Sequence, residues 1–276
     1  MFDQILSNVT SKRPLVHCIT NYVTVNDCAN IIAACGASPI MADDHNEVED
    51  ITSICNGLVL NIGTLNERTI QSMIIAGKKA NALRHTVVLD PVGAGASQLR
   101  TQTTYKLLDE IKFSVIRGNI SEIKTVALGS GTTKGIDADA SDTITEENLS
   151  ESIEFVKALS KRLKSVIAIT GAIDLVANED CVYVIRNGNP MMSTVIGTGC
   201  MLSSMIGAFC SANEDQLLDA VAAAVCVMGL AGEIAYERLQ KAGDGAGSST
   251  YRIFLIDAIN TMSWEVLKNG MKIDRK

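Results

Sequence analysis

Short β-rich runs alternate with stretches of helical length and period through most of the chain, and this alternation limits the fold more than any other feature. The strand candidates are LVHCIT (15–20), SPIMA (38–42), GLVLNIG (57–63), TVVLDPV (86–92), FSVIRGN (113–119), VIAITG (166–171), DLVAN (174–178) and CVYVIR (181–186). Between them, 22–36, 66–83, 98–111 and 145–163 have helical length and period. Asn66 and Thr145 stand where N-caps belong, each with an acid or amide downstream. Strand–helix alternation buries both faces of a parallel sheet under helices, so the expected class is α/β with a mostly parallel central sheet. The hydrophobic share is 47% and the aromatic share only 4%, so the core must be aliphatic, as such sheets require. After Ile185 the pattern changes to three helical segments, 198–212, 214–240 and 248–268, with no strand between them. No Pro- or Ser-rich linker and no fixed-period repeat interrupts the chain, so 1–276 reads as a single domain. Its one long polar stretch, 129–148, is expected to be an acidic surface connection or lid.

The formal net charge is −7 and the basic residues do not gather, which argues against nucleic-acid and anionic-membrane partners. The eight cysteines include no Cys-x-x-Cys pair and match neither a zinc site nor a disulfide framework. The start, MFDQILSNVTSKR, carries acid and lacks a secretory apolar core. The longest apolar helical run, AVAAAVCVMGLAG at 220–232, is 13 residues and too short for a bilayer. A reduced, cytoplasmic protein is expected. The three histidines are scattered, giving little support to a histidine metal centre or a Ser-His-Asp triad.

In open α/β sheets ligands bind beyond the carboxyl ends of the strands. Thr20-Asn21, Met41, Gly63, Asp90-Pro91, Arg117-Gly118-Asn119 and Thr170-Gly171 all fall there. The Gly-rich pieces GSGTTKG, VGAGASQ and GDGAGSS miss the P-loop and dinucleotide spacings. LDPVGAG (89–95) either points Asp90 into the crevice or uses it to cap a turn. In IRGNISEIKTV (116–126), Asn119 and Glu122 lie three apart at a helix start, Glu122 being a magnesium candidate or a solvated glutamate. Arg117 is a phosphate clamp or one half of a surface ion pair. VIGTGCMLSSMIGAFC (195–210) puts Gly-Thr-Gly before a helix that opens with Cys200. That is a helix N-terminus bare enough for an anion, or a flexible connection with a small apolar cysteine filling space. Together, a Gly-rich helix start, two carboxylates and an arginine are what phosphoryl transfer needs.

VHCITNYVTVNDCAN (16–30), GASPIMADDHNEVEDI (36–51), LVLNIGTLN (58–66), VVLDPVGAGAS (87–97), VIRGNISEI (115–123), AITGAIDLV (168–176) and VIGTGCMLSS (195–204), in this order, resemble the hydroxyethylthiazole kinases of the ribokinase-like superfamily. The resemblance spans essentially the whole chain. It implies a three-layer fold, magnesium, and a homotrimer with active sites at subunit interfaces. The reaction it implies is ATP-dependent phosphorylation of the primary alcohol of 4-methyl-5-(2-hydroxyethyl)thiazole, a step of thiamine salvage. By motif position, Met41 contacts the thiazole with Asn21 and Gly63 beside it, and Arg117 and Thr170 contact ATP. Gly197 touches substrate in the anion hole. Asn119 and Glu122 match the Asn-x-x-Glu pattern associated with magnesium, and Asp90 is a metal- or phosphate-side carboxylate. Many relatives have Gly-x-Gly-Asp where this chain has Gly197-Thr198-Gly199-Cys200, so Gly199 and Cys200 fall in the catalytic turn, with Cys200 at the base position. Cys200 is expected to orient the hydroxyl and accept its proton late. A helix N-terminus lowers a thiol pKa and nearby phosphates raise it, and the sequence leaves the net sign open. The competing readings are a kinase for hydroxymethylpyrimidine or a pyridoxal-like alcohol, and a non-catalytic adenylate-binding trimer.

Overall fold

The computed structural model describes residues 2–129, 143–243 and 245–276, so most of the expected 129–148 connection lies outside the described residues. In chain order the elements are α1 (Phe2–Lys12), β1 (Leu15–Ile19), α2 (Val25–Ala34), β2 (Ser38–Ile40), α3 (Val48–Ile54), β3 (Gly57–Asn61), α4 (Glu67–Leu83), β4 (Thr86–Asp90), α5 (Gln98–Glu110), β5 (Val115–Gly118) and α6 (Ile120–Gly129). The second half contains α7 (Leu149–Leu163), β6 (Val166–Ile169), β7 (Asp174–Ala177), β8 (Val182–Ile185), α8 (Thr198–Ala212), α9 (Leu217–Ala242), α10 (Ser248–Asn260), α11 (Trp264–Gly270) and β9 (Ile273–Arg275). Short 3-10 turns precede α8 and α9.

The nine strands of the described residues form one sheet in the order β2-β1-β3-β4-β5-β6-β7-β8-β9. The pairs from β2 to β6 are parallel, and β7, β8 and β9 add antiparallel at the far edge. Side chains alternate along each strand, so the sheet builds two cores. Val16, Cys18, Val59, Val88 and Val115 pack against α1, α2 and α8 to α11. Ile19, Leu58, Leu60, Leu89 and Ile116 pack against α3 to α7. This is the expected three-layer α/β fold. β1 has β2 on one side and β3 on the other, so the chain reverses its direction of travel across the sheet there and opens a crevice at the strand ends.

Asn66 caps α4 as expected, accepting from Thr69 N–H in a reciprocal capping box worth about 1 kcal/mol. Thr145 does not cap α7. Its N–H donates to Asn148 Oδ1 at 2.9 Å, closing a turn one step earlier, and the helix begins at Leu149. The expected helix over 248–268 is two helices, because Ser263 Oγ accepts from Val266 N–H and starts α11 afresh. The apolar run at 220–232 lies within α9, close to the expected helix over 214–240, and the expectation that the apolar helix is too short for a bilayer does not hold by length. The helix from Glu214 to Ala242 is long and apolar enough to cross a membrane by length and composition, yet most of its apolar window is buried inside the protein.

Candidate active site

The site is built where parallel strands end, and hydrogen bonds between neighbouring strand ends tie Asn21, Asn61 and Asp90 together. Asn21 follows β1 and is buried. Its Oδ1 accepts from Thr24 N–H and Oγ1–H, both at 3.1 Å, so its Nδ2 must face the other way. There Nδ2 donates to Asn61 Oδ1 at 3.0 Å and to Cys200 Sγ at 3.4 Å. Asn61 closes β3 directly opposite Asp90 in the ladder, and its Nδ2 donates to Asp90 Oδ2 at 2.7 Å. Gly63 donates its N–H to Asn61 Oδ1, while its carbonyl accepts from Arg100 of α5 at 2.7 Å. Met41 is partly buried against the helical core. The residue after it is fixed by His17, whose Nε2–H donates to the Ala42 carbonyl at 2.8 Å.

The helix start at α8 explains the Gly-Thr-Gly run. Gly197 has φ +93°, a conformation open to glycine, and a side chain there would run into Thr24 Cγ2. The Gly197 carbonyl accepts from Met201 N–H, which leaves the N–H groups of Thr198, Gly199 and Cys200 as the unpaired donors of the first turn. Arg117 sits over that turn: a Cβ on Gly199 would lie 2.5 Å from Arg117 Nη1 and 2.8 Å from Nη2. The guanidinium donates to Thr170 Oγ1 at 2.5 Å and lies 3.7 Å from Asp90 Oδ1. Helix dipole, free N–H groups and guanidinium converge on one spot, so positive potential is already in place before any ligand arrives.

Behind Arg117 a cavity of about 600 Å³ runs from Thr170, Gly171 and Asp174 to Pro190, Met192 and Val225. Asp174 accepts from Gly171 N–H at 2.8 Å, which pins the turn carrying Thr170. Burial pushes its carboxyl up to about 7, against the pull of that N–H and of Arg117. Asp90 is fully buried and is pushed up to about 6. Burial is the main cause and the charge of Glu122 adds to it, while Arg117 opposes. Burial and the Asp90 charge raise the Cys200 thiol, more than donors from Asn61 and Thr24 lower it.

Asn119 and Glu122 form a reciprocal cap on α6: Asn119 Oδ1 accepts from Glu122 N–H and Glu122 Oε2 from Asn119 N–H, each at 2.8 Å. Glu122 Oε1 also accepts from Gly93 N–H. Among the described residues, no group of three or more His, Cys, Asp or Glu side chains is placed to hold a metal by itself. Asp90 and Glu122 still fit a hard cation. They are oxygen donors, the charge of Glu122 raises the Asp90 carboxyl, and Asp90 Oδ1 is buried without a hydrogen-bond partner. Magnesium commonly takes one or two carboxylates and completes its shell with phosphates and water.

The structure thus gathers Asn21, Gly63, Asp90, Arg117, Thr170, Gly197, Gly199 and Cys200 around one crevice, with Met41 just after β2 and the Asn119–Glu122 pair at the start of α6. Sequence reasoning missed Asn61, Arg100 and Asp174. For Asn61 a signal was present, a lone polar residue closing the apolar run LVLN. For Asp174 it was an acid opening an otherwise apolar strand.

The pattern of the hydroxyethylthiazole kinase family matches residues 6–265. A hydroxyethylthiazole kinase of Clostridium acetobutylicum is 58% identical over 99% of both chains, and one of Clostridium beijerinckii is 51% identical over 98% of this chain and 95% of its own. The solved structure of a hydroxyethylthiazole kinase protein from Pyrococcus horikoshii OT3 superposes with a TM-score of 0.88 at 31% identity, covering 100% of this chain and 98% of that one. A pyridoxal kinase from Staphylococcus aureus, 15% identical with a TM-score of 0.60 over 95% of this chain and 97% of its own, shares the ribokinase-like fold. Matched along nearly its whole length by family, relatives and fold, the chain belongs to the hydroxyethylthiazole kinase family.

Proposed function

We propose that the protein transfers the terminal phosphoryl group of ATP to the primary hydroxyl of 4-methyl-5-(2-hydroxyethyl)thiazole. The observation that carries this reading is the Arg117 guanidinium lying over Gly199 at the N-terminus of α8, with Cys200 next on the same turn beside Asn21. A phosphoryl group in transfer spreads charge over three oxygens, and preorganised donors around it supply most of the acceleration. Arg117 and the free N–H groups of Thr198, Gly199 and Cys200 supply them. Thr170 and the turn pinned by Asp174 present the nucleotide side, while Asn21, Met41 and Gly63 present the alcohol side. Asp90 and Glu122 would hold magnesium, which when bound neutralises charge on the nucleotide phosphates. Because the raised thiol keeps its proton at neutral pH, Cys200 acts by accepting a hydrogen bond on sulfur and aiming the hydroxyl. As the alcohol oxygen–phosphorus bond forms and the bond to ADP breaks, the hydroxyl proton leaves late, to an oxygen of the transferred group. A loose transition state needs no earlier deprotonation.

Exposed Tyr22, Val23 and Ile196 flank Asn21 and Gly197 and support a second copy at the rim of the site, as in a homotrimer. Eight unpaired thiols support a reducing, cytoplasmic setting. The test is incubation of the purified protein with Mg-ATP and hydroxyethylthiazole, hydroxymethylpyrimidine or pyridoxal, with products identified by mass. Thiazole phosphate should dominate. Phosphorylation of another alcohol would mean the alcohol pocket is misassigned. ATP bound without any product would favour an adenylate-binding protein.

A further inference from the structure

Asn61 joins strand ends that the reaction uses from opposite sides. It is 1% exposed, and its carboxamide orientation is fixed, because Oδ1 accepts from the Gly63 backbone N–H, a group that can only donate. Nδ2 therefore faces Asp90 Oδ2 at 2.7 Å, and Oδ1 also takes the Nδ2–H of Asn21 at 3.0 Å. Asn21 is oriented independently by Thr24 N–H, and so presents its other N–H to Cys200 Sγ at 3.4 Å. The run Cys200–Asn21–Asn61–Asp90 is polarised along its whole length. Flipping either amide would leave buried donors facing donors.

We infer that Asn61 is a positioning residue for phosphoryl transfer, holding the alcohol side of the site, Asn21, Gly63 and Cys200, in register with the Asp90 carboxylate on the phosphate side. Its consequence for turnover rests on the kinase reading above; its effect on Cys200 does not. Loss of the Asn61 acceptor frees the Asn21 amide to turn, which removes a donor from sulfur and lets the alcohol drift relative to the phosphoryl group. A misplacement of about 1 Å costs on the order of a hundredfold in rate.

The experiment compares full-length wild type with Asn61→Leu, which removes all three hydrogen bonds, and Asn61→Asp, which keeps both acceptor contacts but loses the donor to Asp90. Three quantities are read: thermal midpoint, kcat with separate KM values for ATP and hydroxyethylthiazole, and the rate of Cys200 alkylation by iodoacetamide without nucleotide, with Cys200→Ala as background. Asn61→Leu should lower kcat at least about tenfold, inside the range that misplacement produces, with the ATP KM within about twofold. It should also slow Cys200 alkylation several-fold. Asn61→Asp should lower kcat as well, and its added carboxylate beside Asp90 should slow alkylation by the same like-charge effect that Asp90 exerts on the thiol. A thermal midpoint that falls while kcat and alkylation hold would reduce Asn61 to a structural residue and overturn the inference. If Asn61→Leu does not fold, Asn61→Asp with unchanged kcat overturns it alone. Failure of the wild type to phosphorylate any alcohol would count against the kinase reading, and the alkylation comparison would still test the register.

Discussion

Cys200 keeps its proton at neutral pH because burial and the neighbouring Asp90 charge both oppose a thiolate, and the donors around the sulfur do not compensate. A residue in that state orients more than it ionises. Cys200→Ala should leave both KM values within about twofold and lower kcat by roughly tenfold, short of the hundredfold or more that loss of a true general base costs. Between pH 7 and 9 the wild-type kcat should not climb tenfold per unit; steady-state rates across that interval would reveal a thiolate base if it did. Asp174 gives the second prediction at this scale. Its carboxyl rises from the ordinary 3.8 to about 7 on folding, so the folded chain binds a proton that the unfolded chain has released. The sign follows: stability falls as pH rises from about 4 to about 7, and is level above. Asp174→Asn stays neutral and can still accept from Gly171 N–H. Its thermal midpoint relative to wild type should therefore rise by roughly 2 °C or more between pH 5 and pH 8. A constant difference across that interval would mean the carboxyl titrates normally.

At the scale of elements, α8 does the most for the site, since its first turn combines a glycine turn, free donors and the arginine above it. Gly199→Val places carbon where the guanidinium lies, so the side chain displaces Arg117 rather than filling open space. Loss of one anion-stabilising donor costs roughly 2.7–4 kcal/mol, so kcat should fall at least a hundredfold. Normal turnover in this variant would mean that the phosphoryl group sits elsewhere. The sequence was most legible where apolar period and caps agreed, as in α4 with Asn66. It was least legible in short or polar elements. α3 is too short to show a period, and β9 (IDR) is fixed by backbone pairing to β8 rather than by its side chains. α1 carries a signal, with Phe2, Ile5 and Val9 buried on one face, but few apolar positions across its polar length.

For the whole molecule, the order of the strands decides what a linear reading can reach. Strand ends rich in glycine and polar residues lie together where the parallel strands end. Asn61 stands out in the sequence as the lone polar residue closing LVLN, but its partner appears only once β3 and β4 are in register, because Asp90 is the residue opposite. The exposed rim of Tyr22, Val23 and Ile196, at 79%, 59% and 75% of full exposure, belongs to this scale as well. If the proposed homotrimer forms through this rim, Ile196→Asp should reduce the mass read by light scattering and lower activity more than thermal stability. A fully active monomer would sink the shared-interface reading. The bond from Asn21 to Cys200 spans 179 positions of chain and also requires α8 to dock on the finished β1–β3 region. Such distant pairings form late. On dilution from denaturant, helical signal should therefore return well before turnover does. An assembly halted part-way, with sheet but no docked α8, would hold nucleotide poorly and transfer nothing, so ATP is safe from an enzyme that is only half made.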